Sequence, residues 1–339
     1  MTAVEVVAAA RRRGAVRARA VTLALLVAIV AVFAVSLAVG DFPVPLGDLP
    51  GALLGTGRAA YVVTELRLPR AITGLLVGLA FGTSGALFQR LLRNPLASPD
   101  VIGVTQGASA AAVVAIVLFG AGGAVVSAWA LAGALLTGAA IYLLARRGGV
   151  HGYRLVLVGV GVGAVLTSVV SYLMTWADVT LAQQALVWLT GNLNGRSWDH
   201  AGPLAAALVV LLPAALLLGR ALTGLQLGDD TAAGLGLNVE RTRVALLLVA
   251  VALAAFATAA AGPVAFVAFV ANPIATRLVG GARAGLGPAA LTGALVVLLG
   301  DFAAQHLLGA QLPVGVVTGA VGAPYLLWLL ASANRAGRM

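Results

Sequence analysis

The stretch 65–109, ELRLPRAITGLLVGLAFGTSGALFQRLLRNPLASPDVIGVTQGAS, decides how this chain is read. It opens on a charged, proline-containing turn and continues as an apolar segment with Gly74, Gly78 and Gly82 four residues apart. It ends in the cationic, polar RLLRNPLASPD before apolar residues resume. That is the outline of one membrane crossing with a decorated entrance and exit. Composition agrees, since 61% of the 339 residues are hydrophobic, 9% are charged and the mean hydropathy is +1.05. A soluble core cannot use so much apolar surface. The expected fold is all-α: a polytopic membrane protein.

Working outward, the arginines at 11, 12, 13, 17 and 19 precede an uncharged run, 20–39, long enough at about 1.5 Å per residue to cross a roughly 30 Å hydrocarbon layer. It reads as a retained first span rather than a cleaved signal. A loop at 41–66, rich in proline and acid, leads to a second span at 71–88. The uncharged run 101–145 is too long for one helix, and the glycines at 120–123 divide it into two. A cationic loop at 146–154 follows, and further spans are expected at 155–176, 201–219, 285–308 and 313–331, with an aromatic and polar segment between 176 and 201. The run 244–276 divides at Gly262-Pro263 into two short spans, one of which could be re-entrant.

Ten spans put both termini on one side. Seventeen of the 21 arginines then lie on that side, and only Arg58, Arg67, Arg70 and Arg196 on the other. The positive-inside rule makes the side of the termini cytoplasmic. The expected organisation is a basic N-terminal segment, 1–19, a single transmembrane domain, 20–333, carrying a charged loop at 220–243, and a tail, 334–339.

The formal charge of +10 follows this asymmetry and argues for orientation against a bilayer, not for nucleic acid. No lysine is present, which excludes Schiff-base chemistry and a Walker A lysine. No cysteine is present either, so thiolate metal sites, disulfides and iron–sulfur ligation are excluded. The histidines at 151, 200 and 306 show no metal-ligand spacing, and no nucleophile–base pair is visible.

Several segments could nonetheless carry function. Gly74, Gly78 and Gly82 form a small-residue face that suits tight helix packing or the lining of a path. Arg67 and Arg70 bracket a proline and make a rigid cationic pair suited to carboxylates on a partner. At the opposite mouth Gln89, Asn94 and Pro95 belong to a turn. In the 220–243 loop, Gly228-Asp229-Asp230-Thr231 is a helix start, and Gly234 and Gly236 can end that helix within about two turns. Such a short helix has little to bury against in its own subunit and suits a socket on a soluble partner. Asp301 is the one carboxylate expected inside a span; with Gln305 and His306 a turn away it could hold a hydrogen-bond network or relay protons.

These blocks, in order, together with NPLASP at 94–99, LG-x-x-T/A-A-x-x-LG at 227–236, Gly262-Pro263 and LPVGVVTGAVGAPYLLWLL at 312–330, resemble the FecCD-type permeases of ABC importers for iron chelates and cobalamin. The resemblance covers roughly 40–332. It implies a ten-helix subunit in a bacterial cytoplasmic membrane, paired with an identical or homologous second permease. It also implies a periplasmic or lipid-anchored binding protein outside, and two cytoplasmic ATPases that hold ATP and magnesium; this chain itself would hold no cofactor or metal. By position, Arg67 and Arg70 would meet acidic residues of the binding protein. Gly228, Asp229, Asp230, Ala232, Ala233, Leu235 and Gly236 would form the coupling helix seated in the ATPase. Gln305 departs from the pattern, standing where many relatives have an arginine, and Asn272-Pro273 and Thr276 depart from it too. The phrasing of 304–319 favours the ferric-siderophore branch over cobalamin or haem. A proton-coupled transporter using Asp301 is the reading from another class.

Overall fold

The computed structural model describes residues 3–146, 152–281, 285–307 and 311–336. Parts of the expected cationic loop at 146–154, including Arg147 and His151, and Arg283 and Arg338 lie outside the described residues. Helices come first as α1 (Ala3–Ala38), α2 (Leu49–Leu53), α3 (Leu68–Leu91), α4 (Pro99–Ile102) and α5 (Val104–Phe119). There follow α6 (Gly123–Ala145), α7 (Gly152–Trp176), α8 (Val179–Leu189), α9 (Trp198–Leu225) and α10 (Asp229–Gly234). The last four are α11 (Val239–Ala261), α12 (Val267–Val279), α13 (Leu286–His306) and α14 (Val314–Ala336). The described residues contain no strand.

Helix α3 is the axle of the molecule. Of its apolar window 78% is buried inside the chain, against 17% for α1 and α7. The cause is the small-residue face. A β-carbon placed on Gly82 would lie 2.5 Å from the carbonyl oxygen of Ala289, and one on Gly78 equally close to that of Gly293. The α3 and α13 backbones therefore touch, and Gly293 returns the fit by packing on Gly78 and Gly82. Lipid offers no hydrophobic drive for helix association, so contact this close is what holds such helices together. Ser84 adds a buried hydrogen bond from its hydroxyl to Ala250 O of α11 (2.7 Å), leaving no polar group of that side chain unpaired.

Among the described residues seven helices are long and apolar enough to cross a membrane, and α5, α8, α12 and the apolar part of α14 are shorter. Each of the ten expected spans coincides with a helix. The division at Gly120 holds, with that glycine ending α5 at φ +61°, and so does the division at Gly262, φ +76°. Arg17 on α1 and Tyr325 on α14 both reach the end of α12.

Two expectations are corrected. Residues 65–70 are not a turn: a π-helical segment, Val62–Arg67, runs directly into α3, and Pro69 sits in that helix's first turn, where a missing N–H costs little. Helix α1 is continuous from Ala3, so the basic segment at 1–19 and the first span share one helix. The polar stretch after 176 contains a further apolar helix, α8, whose 11 residues span about 16 Å, too little to cross. Its end meets the α11–α12 break: Asn192 N donates to Ala261 O (2.7 Å), and Gly315 N to Gly191 O (3.0 Å).

Candidate functional site

At the start of α3 two arginines share one cleft of ≈ 320 Å³ with Asp41, Asp301, Gln305 and His306. Arg70 grips Asp301 at two points, Nε to Oδ2 at 3.0 Å and Nη2 to Oδ1 at 2.8 Å. Gln305 Nε2 donates to the same Oδ2 at 2.7 Å. The pair is largely enclosed, with side chains 17% and 8% accessible. Such fork-to-fork geometry is the arrangement in which a guanidinium holds a carboxylate best. Arg67 turns the other way. Its Nη1 donates to Leu37 O (2.7 Å) and Ala38 O (3.3 Å), and its Nη2 to Phe42 O (2.7 Å). A cation there satisfies the orphan carbonyls at the α1 C-terminus. Both guanidinium groups expected to face a partner are therefore engaged within the subunit.

The opposite end of α3 carries a second polar cluster. Gln89 Nε2 donates to Phe269 O (2.9 Å) and its Oε1 accepts from Asn272 Nδ2 (2.9 Å). Asn272 Oδ1 is enclosed and has no partner among the described residues. Asn94 folds the following turn by accepting from Leu96 N (2.9 Å), with Pro95 between them, and Arg93, at φ +51°, binds Leu225 O at the end of α9. Asp100 follows in α4, where the Ser98 hydroxyl caps the helix. Burial lifts the Asp100 carboxyl to about 6, a neighbouring Thr105 hydroxyl opposing the shift. Ser98, Asp100 and Thr105 border a cleft of ≈ 410 Å³ whose other wall includes Leu189 and Phe266. Phe266 holds a left-handed backbone at φ +65°, which is costly for a bulky residue.

The expected loop at 220–243 is shorter than its charges suggested: α9 runs on to Leu225, α11 begins at Val239, and the connection between them carries α10. Gly228, at φ +112°, makes the turn into it, and Asp229 and Asp230 lie in its first turn, where the helix dipole favours acids. Arg243 Nη2 holds Asp229 Oδ1 at 3.0 Å. Ala232 is the buried anchor, whereas Asp230, Ala233 and Gly236 are exposed. Leu227 and Leu235 stand 62% and 65% exposed on the same loop.

The structure thus brings Arg70, Asp301 and Gln305 together, seats Arg67 in the same cleft, and places Gly74, Gly78 and Gly82 against α13 and its neighbours. Sequence reasoning missed the pairing of Gln89 with Asn272, 183 residues away, and the enclosure of Asp100. The asparagine preceding Pro273 inside an apolar run was the available signal for the first.

The profile of the FecCD transport family matches residues 26–332. The ferric enterobactin transport system permease protein FepG of Escherichia coli (strain K12) is 45% identical, over 87% of this chain and 88% of its own length. The achromobactin transport system permease protein CbrC of Dickeya dadantii (strain 3937) is 42% identical, over 91% and 90%. The iron(3+)-hydroxamate import system permease protein FhuG of Bacillus subtilis (strain 168) is 39% identical, over 90% and 95%. Among solved structures, an inward-facing metal-chelate-type ABC transporter superposes with a TM-score of 0.81 at 24% identity, covering 93% of this chain and 99% of that one.

Proposed function

The chain belongs to the FecCD transport family, and from that premise we propose that it is the permease subunit of an ATP-driven importer of ferric siderophores. It is a multi-pass membrane transport component. The likeness that supports the substrate class is its breadth: the relatives named for ferric enterobactin, achromobactin and iron(3+)-hydroxamate each match about nine-tenths of the chain. On this reading the side of the termini is cytoplasmic. A second permease, identical or homologous, completes the path; two ATPases supply the force, and a binding protein delivers the chelate.

The observation that carries the division of labour is α10. A six-residue helix with one buried residue and exposed Leu227 and Leu235 beside it is a socket piece, not a core element. Gly228, Asp229, Asp230, Ala232, Ala233, Leu235 and Gly236 would sit against the ATPase. Arg67 and Arg70 would act on an acidic binding protein through their field at the cleft rim, because their donors serve the subunit itself. Proton carriage by Asp301 is not favoured by a carboxylate clamped by three donors.

The test is uptake of iron-labelled ferric catecholate, hydroxamate and citrate into vesicles holding the full assembly. ATP-dependent entry of at least one chelate is expected. Entry that follows a pH gradient and ignores ATP would overturn the reading.

A further inference from the structure

Helix α12 carries a proline in its interior, Pro273. A proline has no N–H, and its ring crowds the carbonyl four residues back, so Phe269 O loses its ordinary helical partner. Gln89 of α3 supplies the missing donor: its Nε2 lies 2.9 Å from that oxygen. A backbone carbonyl can only accept, so the Gln89 amide turns its NH2 group there, and its Oε1 is left to accept from Asn272 Nδ2 (2.9 Å). Asn272 is the residue before the proline, the position that steric conflict drives away from helical geometry. One side chain, 4% exposed, thus serves both of the residues that the proline disturbs.

The two halves of α12 are held differently. Residues 267–271 are all buried, and Gly85 of α3 comes so close that a β-carbon on it would collide with the Ala268 carbonyl. Beyond the proline, Arg277 and Leu278 are exposed. There Arg17 of α1 donates from Nε to Leu278 O (2.9 Å), and Arg277 Nη1 donates to the Tyr325 hydroxyl of α14 (3.1 Å). We propose that Pro273 is a hinge between two levers and that Gln89 is its latch. With the latch made, the levers are held in line; with it open, residues 274–279 swing while 267–271 stay on α3. A carbonyl that depends on another helix's side chain is released by a change of rotamer, whereas an ordinary helical bond is released only by unwinding. The hinge would serve whichever chelate the chain carries.

Hydrogen–deuterium exchange of the full-length chain in detergent tests this. Gln89→Leu removes the donor and keeps the bulk. It should speed exchange of amides 274–279 at least about tenfold, the effect of one buried hydrogen bond left unmade, while 267–271 and α3 keep wild-type protection. Asn272→Ala, which leaves Gln89 whole but unsteadied, should act in the same direction and less strongly, and it carries the test if Gln89→Leu does not fold. Pro273→Ala gives Phe269 O its helical donor back, so adding Gln89→Leu to that variant should change nothing. Unchanged exchange at 274–279 in the single variants, or loosening of 267–271 to the same extent, would overturn the proposal. So would an equal effect of Gln89→Leu with and without Pro273, which would make Gln89 a packing residue and no more.

Discussion

Arg70 and Asp301, 231 residues apart in the chain, meet at 2.8 and 3.0 Å and lock the start of α3 to the end of α13. Removing one member leaves the other enclosed and unpaired. Asp301→Ala is expected to cost about 3 kcal/mol, while the double replacement Arg70→Met with Asp301→Leu recovers most of it. Thermal unfolding in detergent checks both. Equal loss in the single and double variants would mean that the pair holds nothing in place.

The glycine seam makes a sharper contrast. Gly78→Ala forces a methyl group into the α13 backbone and is expected to cost about 2 kcal/mol. Gly161→Ala, on a part of α7 that faces open space, is expected to gain about 0.5 kcal/mol through helix propensity alone. The two variants, melted side by side, should move in opposite directions.

Leu235 touches little of its own chain, so Leu235→Glu should leave the melting temperature within about 1 °C of wild type. The same variant should bind the ATPase at least about tenfold more weakly, a buried charge being costly at an interface. Capture of the binding protein at the opposite face should be unaffected. Co-purification of the three components separates these effects.

Asp100 predicts a pH dependence. Enclosure raises its carboxyl from 3.8 to about 6 in the folded chain, so the folded state keeps a proton that the unfolded state has already lost. Stability therefore falls as pH rises from 3.8 to about 6 and stays lower above that range. Asp100→Asn abolishes this fall. The melting temperature of the variant minus that of wild type should increase between pH 4.5 and pH 7.5; a difference independent of pH would show that the carboxyl ionises freely.

Much of the architecture was legible because it is written in run length. Long apolar runs, two of them divided where glycines relax the backbone at 120 and 262, give ten expected spans, and each coincides with a helix. Helix α8 was not legible: with Gln183 and Gln184 inside it and Asp178 before it, its 11 residues fall below any length test for a span. Pro69 suggested a turn because a proline usually ends a helix, and nothing local announces a π-helical lead-in. Arg70, Asp301 and Gln305 were each singled out from sequence, yet their union was not. Pairing across 231 residues depends on how α3 and α13 lie together, and the small-residue face that sets this records only that some backbone comes close.

Backbones in contact have no slack between them. Because α3 and α13 meet through Gly78, Gly82 and Gly293 rather than through interdigitated long side chains, neither can slide along the other without collision. The two must travel as a single plate, pinned at one edge by the Arg70 clamp and bearing Gln89 at the other. A push delivered near α10 can tilt that plate but cannot shear it, which assigns the yielding parts of the cycle to the loosely embedded helices around it.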